Sequence, residues 1–218
     1  MTVSAPIFDL STLPTLANVP RIGRQPMPEG EKSPLPPLNI SSRLARKVEK
    51  RRMVELVKGQ AAVTAIAALP QPGETVHVRM DGSYDGYEII AAIADLLAPA
   101  TIECLYVATL SFNRRVSERL LALIDAGSIR HVTFVSSLMF QGKERATVDW
   151  LSHELAKRGG RLINARNHCK LILARTTDGR NLAMEGSQNL RTCACWEQFA
   201  ICDDAALYQW HQQFLEAM

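Results

Sequence analysis

The chain has 218 residues, 47% apolar and 22% charged, with 25 Lys/Arg against 22 Asp/Glu and a formal net charge of +3. That length holds one ordinary domain plus an appendage. No apolar run approaches the ~20 residues of a membrane-spanning helix, and no basic-then-apolar leader opens the sequence. The 5 cysteines lack framework spacing and fit free thiols in a reducing compartment. The expectation is a cytoplasmic protein without stable membrane association.

Residues 1–40 carry most of the 11 prolines, including Pro34, Pro36 and Pro37. That composition cannot bury a core and predicts a disordered arm. Residues 41–70 read as a basic helical segment. Within it Arg43, Arg46, Lys47, Lys50, Arg51, Arg52 and Lys58 face only Glu49 and Glu55, so seven cations less two anions leave +5. Residues 59–218 hold 15 Lys/Arg and 17 Asp/Glu, a net of −2. The positive charge therefore belongs to one segment. Ser41 or Ser42 caps the expected helix and Gly59 ends it after Lys58. Such a helix is either a solvated linker or a contact for phosphates, with Arg43, Arg46, Lys47, Lys50, Arg51 and Arg52 as the substrate-binding candidates.

From residue 71 strand and helix signals alternate to residue 218. Thr75–Met80 is a β-branched run, and Tyr87–Leu97 places Ile89, Ile93, Leu96 and Leu97 at helical spacing. Ile102–Leu110 reads as a buried strand, and Arg114–Ala126 as a helix capped by Asn113. His131–Ser136 predicts a strand, Lys143–Lys157 a helix, Arg161–Asn164 a strand and Glu197–Cys202 a last strand. Leu207, Trp210 and Phe214 mark the buried side of a C-terminal helix. The pattern predicts an α/β domain, layered α/β/α, with a mixed β-sheet.

The chemistry concentrates in Asn167-His168-Cys169-Lys170, then Gly186-Ser187-Gln188-Asn189, then Glu197. His168 and Lys170, two apart on an extended segment, point the same way. Between the motifs, Asp178-Gly179 is a hairpin signal. A two-residue turn there sets His168 opposite Asn189 and Lys170 opposite Ser187, gathering one polar cluster. The same register predicts Cys169, Leu171, Leu173, Leu182 and Met184 as the core face.

His-x-Lys followed by Gly-Ser-x-Asn and a downstream Glu resembles the phospholipase D superfamily, most strongly over Asn167–Cys202. The resemblance implies a phospholipase D-like fold and phosphodiester cleavage through a phosphohistidine. It makes His168 the nucleophile, Lys170, Ser187 and Asn189 the phosphate cradle, and Glu197 the carboxylate that orients the imidazole. It calls for no metal and no cofactor. Members of this family often carry Asp five residues after the Lys, where this chain has Arg175. With a single His-x-Lys, the resemblance implies a homodimer sharing one site, and the basic segment favours a nuclease. Alternatives are a non-catalytic nucleic-acid-binding module of the same fold and a phospholipase acting on anionic lipid. Cys193, Cys195, Cys202 and His211 could be drawn as a zinc site, but C-x-C lacks the usual spacing, and core thiols are the favoured reading. The Gly-rich loop Met80–Gly86 lacks a P-loop ending. It reads as a tight strand–helix connection, with lining of the substrate cleft as the alternative.

Overall fold

The computed structural model describes residues 40–191 and 195–218, with side chains from Arg52 onward. The expected Pro-rich arm, Cys193, and the side chains of Arg43, Arg46, Lys47, Lys50 and Arg51 lie outside the described residues. In chain order the elements are α1 (Ile40–Ile66), β1 (Thr75–Met80), α2 (Gly86–Leu97), β2 (Ile102–Ala108), α3 (Arg114–Asp125) and β3 (Ile129–Ser137). They continue with α4 (Leu138–Ala156), β4 (Arg161–Ala165), β5 (Leu171–Thr176), β6 (Asn181–Gly186), β7 (Glu197–Asp203) and α5 (Ala205–Glu216).

The strands form a 7-stranded sheet in the order β1-β7-β6-β5-β2-β3-β4. β2 pairs parallel with β3, and β3 with β4. The pairs β2–β5, β5–β6, β6–β7 and β7–β1 are antiparallel, so the sheet is mixed, as expected. One face carries Val78, Met80, Val107, Phe134, Ile172, Met184, Phe199 and Ile201 and is covered by apolar residues of α1 to α4. The other carries Tyr106, Val135, Leu171, Leu173 and Ala183 under Tyr208 and Leu215 of α5. This is the expected α/β/α layering, with both faces of the central strands apolar.

Helix starts follow local chemistry. Asn113 accepts from Val116 N at 2.9 Å, and Asp204 accepts from Ala206 N at 2.8 Å and Leu207 N at 3.0 Å, each satisfying otherwise orphaned donors. At the head of α2, Asp85 N donates to Glu88 Oε2 at 3.1 Å. Glu88 is fully buried and ion-pairs with Arg119 of α3, whose guanidinium also lies 4.2 Å from the Tyr87 ring centroid.

Three expectations need correction. The first helix does not stop at Gly59 but runs to Ile66, because Ala62 and Ile66 bury against the domain and offset the weak helix propensity of one glycine. Nor do Trp210 and Phe214 face the core of α5; they are 64% and 46% exposed, while Tyr208, His211 and Leu215 are buried.

The third correction is the hairpin register. Thr176 N donates to Arg180 O at 3.1 Å and Gly179 N to Thr176 O at 3.2 Å, so the loop is the three-residue Thr177–Gly179. Gly179 takes φ +92°, the left-handed position such a loop requires. Pairing is therefore Leu171 with Glu185 and Ile172 with Met184, one residue away from the expected register. A one-residue slip exchanges faces. Leu182 and Met184 join Ile172 and Ala174, and Lys170 stands opposite Gly186 rather than Ser187, through Gly186 N to Lys170 O at 3.0 Å.

Gly186 has no room for a side chain: a Cβ there would lie 2.5 Å from the Phe199 ring and 2.6 Å from Gln198 O. Gly186→Ala is expected to destabilise the domain by about 2–3 kcal/mol, the upper part of the overpacking range. Urea unfolding measures it, and an unchanged midpoint would show that β6 and β7 separate freely.

Candidate active site

The motif residues gather at one end of the sheet, where β5 begins, β6 ends and β7 begins. Asn167 is buried, and its amide donates to Thr109 O at 3.3 Å and Val135 O at 3.2 Å. Its Oδ1 accepts from Cys169 N at 2.8 Å. One side chain thus ties the segment before β5 to the ends of β2 and β3 and leaves exposed His168 at the open edge. Lys170 Nζ lies 3.0 Å from His168 Nδ1 and donates to the His168 carbonyl at 2.8 Å. Partial burial holds the Lys170 ammonium below the ordinary lysine range, against the opposing pull of Cys169 and Glu197.

Beside this pair, Ser187 Oγ donates to Glu197 Oε2 and accepts from Gln198 N at 3.1 Å. Asn189 Oδ1 accepts from Leu110 N at 3.1 Å and Thr109 Oγ1 at 3.3 Å, and Leu190 N donates to Thr109 Oγ1 at 3.2 Å. Buried Thr109 thereby fastens the Asn189 loop to the end of β2. The head of α2 closes on the same loop: a Cβ on Gly86 would lie 3.2 Å from Asn189 O. The Met80–Gly86 connection therefore abuts the motif, and Lys58 of α1 joins it there through a 2.9 Å ion pair with Asp85.

The arrangement is a row rather than a point. Lys170 just before β5, Gly186–Ser187 at the end of β6 and Glu197 at the start of β7 lie on successive strand ends, so the outer two are roughly 10 Å apart. Lys170 contacts His168, whereas Glu197 bonds to Ser187. A space of about 610 Å³ beside His168 is bounded by Ser137, Leu138, Met139, Arg166 and Asn167. Another of about 320 Å³ adjoins Ser187 and Glu197. A groove of about 730 Å³ between α1 and the α2–α3 pair is lined by Arg52 and by none of the motif residues. Chemically, the row offers an imidazole, an ammonium, a hydroxyl, an amide and a carboxylate at an open sheet end.

Arg175 stands at the opposite end of β5, where it pairs with Glu103 at 3.0 Å and meets Cys104 Sγ at 3.2 Å. Its place is structural and remote from His168. His211 Nε2 lies 3.0 Å from Glu185 Oε1 on the α5 side of the sheet. Among the described residues no group of three His, Cys, Asp or Glu side chains could hold a metal ion. No helix among them is long and apolar enough to cross a membrane. No pattern in the sequence marks a role for Asn167 or Thr109. Asn167 adjoins the His-x-Lys motif, but its three hydrogen bonds depend on strands distant in sequence.

No family profile matches the chain, and no curated protein matches it. Solved structures similar to it include a polyphosphate kinase from Porphyromonas gingivalis, at 12% identity and TM-score 0.48, over 65% of this chain and 25% of that one. Another is a phospholipase D family member, Nuc from Salmonella typhimurium, at 15% identity and TM-score 0.46, over 66% of this chain and 93% of that one. A third is a phosphatidylserine synthase from Haemophilus influenzae Rd KW20, at 15% identity and TM-score 0.44, over 67% and 38%. The chain thus spans well under half the length of the first and third.

Proposed function

We propose that this protein is a metal-independent phosphodiesterase that cleaves nucleic acid through a covalent phosphohistidine on His168, working as a homodimer. The observation that carries the reading is the Lys170 ammonium 3.0 Å from the ring of an exposed His168, next to the Ser187–Glu197 pair. A phosphodiester is anionic and its transition state spreads charge over the non-bridging oxygens. Lys170, Ser187 and the Asn189 amide Nδ2 supply cation and donors for those oxygens. Asn189 Oδ1 is engaged by Leu110 N and Thr109, which leaves Nδ2 as its donor to phosphate.

An ammonium donating to Nδ1 places the neutral ring's proton on Nε2. Attack through Nε2 requires that proton on Nδ1. Lys170 therefore swings from the ring to a phosphate oxygen, and Glu197 leaves Ser187 and crosses the row to accept from Nδ1, which frees the Ser187 hydroxyl to donate to phosphate. Nε2 then bonds to phosphorus as the bond to the leaving oxygen breaks. The partner's His168 protonates that oxygen, then takes a proton from water, which attacks the phosphohistidine and releases the ring.

Nucleic acid is favoured over lipid by the position of the basic segment. α1 runs from Lys58, paired with Asp85 at the motif end, towards Pro70, whose carbonyl accepts from Arg180 in the hairpin turn at the far end. Continued the other way, the helix carries Arg43–Arg52 past the motif end, with Arg43 roughly 22 Å beyond Lys58 at 1.5 Å per residue. A segment of net charge +5 suits the phosphates of a long polyanion.

The test is incubation of the full chain with DNA, RNA, cardiolipin and a chromogenic phosphodiester in EDTA. Cleavage of nucleic acid is expected; activity appearing only on addition of Mg²⁺ or Mn²⁺ overturns the mechanism. The alkaline limb of the kcat/KM profile provides a second check. Because the Lys170 ammonium is held below the ordinary lysine range, its charge is lost earlier as pH rises. The limb is expected below that range, and Lys170→Arg is expected to move it upward; identical limbs would remove Lys170 from phosphate binding.

A further inference from the structure

α5 covers the sheet over β5 and β6. On the same face the outer strip of β7 and β1 is open: Arg79 and Gln198 are cross-strand partners there, and both are exposed. The strip runs into the candidate site, because Ser187 N donates to Gln198 O at 3.0 Å and Gln198 N to Ser187 Oγ at 3.1 Å. Trp196, 77% exposed, stands immediately before Glu197. Together Arg79, Ser187, Trp196, Glu197 and Gln198 bound a concavity of about 320 Å³. Among the described residues no carboxylate pairs with Arg79.

We infer that this strip is a subsite for single-stranded nucleic acid, in which Trp196 stacks on a base flanking the scissile phosphodiester and Arg79 binds the adjacent phosphate. The inference rests on the phosphodiesterase reading and specifies its substrate. An indole held in the open beside an uncompensated guanidinium matches the two things a nucleotide presents, a flat π face and an anion. A duplex buries its base faces in the stack, so only an unpaired or splayed base can lie on Trp196. Glu197, Gln198 and Ser187 give the concavity a polar wall, which suits a nucleotide edge and penalises an acyl chain.

Binding is measured with full-length His168→Asn protein, so that substrate is not consumed, using fluorescein-labelled oligo(dT) and a duplex. In that background Trp196→Ala is expected to weaken oligo(dT) binding about tenfold, within the range for loss of one stacked base. Trp196→Phe should retain most of the affinity, and duplex binding should change little with either. Arg79→Gln is expected to lower the log–log salt slope on oligo(dT) by about 0.7, one phosphate contact on a single strand. In the His168 parent, Trp196→Ala and Arg79→Gln should lower kcat/KM on oligo(dT) more than on bis(p-nitrophenyl) phosphate, which carries no base and no second phosphate. No loss on oligo(dT), or an equal loss on duplex, overturns the subsite. Loss of phosphatidylglycerol-vesicle binding by Trp196→Ala with oligo(dT) affinity intact also overturns it, in favour of a membrane contact. Wild-type protein that hydrolyses no diester overturns the phosphodiesterase reading instead, while the oligo(dT) comparison still reports on the strip.

Discussion

His168→Asn is expected to reduce hydrolysis of a chromogenic phosphodiester to background in EDTA, a loss of roughly 10⁴-fold or more, the scale seen when a covalent nucleophile is removed. Asn is polar and smaller than His, and the local fold does not rest on the His168 side chain. His168 is exposed, and its segment is held by Asn167 through Thr109 O, Val135 O and Cys169 N. The loss should therefore fall on kcat with little change in thermal midpoint. A nucleophilic role also makes a chemical demand. The intermediate is a phosphoramidate, stable in base and labile in acid, so base-quenched wild-type protein with labelled substrate should carry label that the variant lacks. Retained turnover in His168→Asn, or turnover without trapped label under burst conditions, would remove His168 from the bond-making step.

What could be read from the sequence was whatever local pattern determines. The strands and helices after residue 71 follow alternation and helical spacing, except that α4 begins at Leu138, five residues before the expected Lys143, and Asn113 was recognisable as a cap. Register was not legible, because Asp178-Gly179 serves both a two-residue turn and the three-residue Thr177–Gly179 loop that forms. The choice turns on hydrogen bonds the chain makes only once folded: Thr176 Oγ1 bonds to Asp178 and accepts from Arg180 N at 3.0 Å. The single-residue difference moves Lys170 from Ser187 to Gly186 and spreads the expected cluster along the sheet end. α5 was ambiguous for a similar reason. Leu207, Trp210 and Phe214 share helical spacing with Tyr208, His211 and Leu215, and only packing against Leu171, Leu173 and Ala183 selects the second stripe. The discarded stripe left Trp210 and Phe214 exposed beside Lys170 and Gly186, bounding a hollow of about 490 Å³. Leu138 and Met139, 45% and 69% exposed, lie beside His168 on the other side. Apolar groups rimming a polar row are the composition of a contact surface.

That rim supports the second large effect. Mixing wild-type protein with a tenfold excess of His168→Asn is expected to lower activity per wild-type chain about tenfold once subunits exchange, because random pairing leaves few dimers with both imidazoles. The reasoning is one of chemical roles. Cleavage needs a nucleophile and a separate acid for the leaving oxygen, and Glu197, the carboxylate of the row, already has the proposed task of accepting from the attacking ring. A two-fold axis near His168 would bring the same residue from each subunit to one phosphate, so that the ring that does not attack would supply the proton. Leu138 and Met139 on one flank and Trp210 and Phe214 on the other would bury against their own copies around that phosphate. Removing the rim should then act through association: Met139→Glu with Phe214→Glu is expected to yield a monomer by sedimentation, folded by circular dichroism and inactive on diesters. Adding His168→Asn chains could not restore it. A strictly linear dilution under demonstrated exchange, or a fully active monomer, would show that each chain carries its own acid.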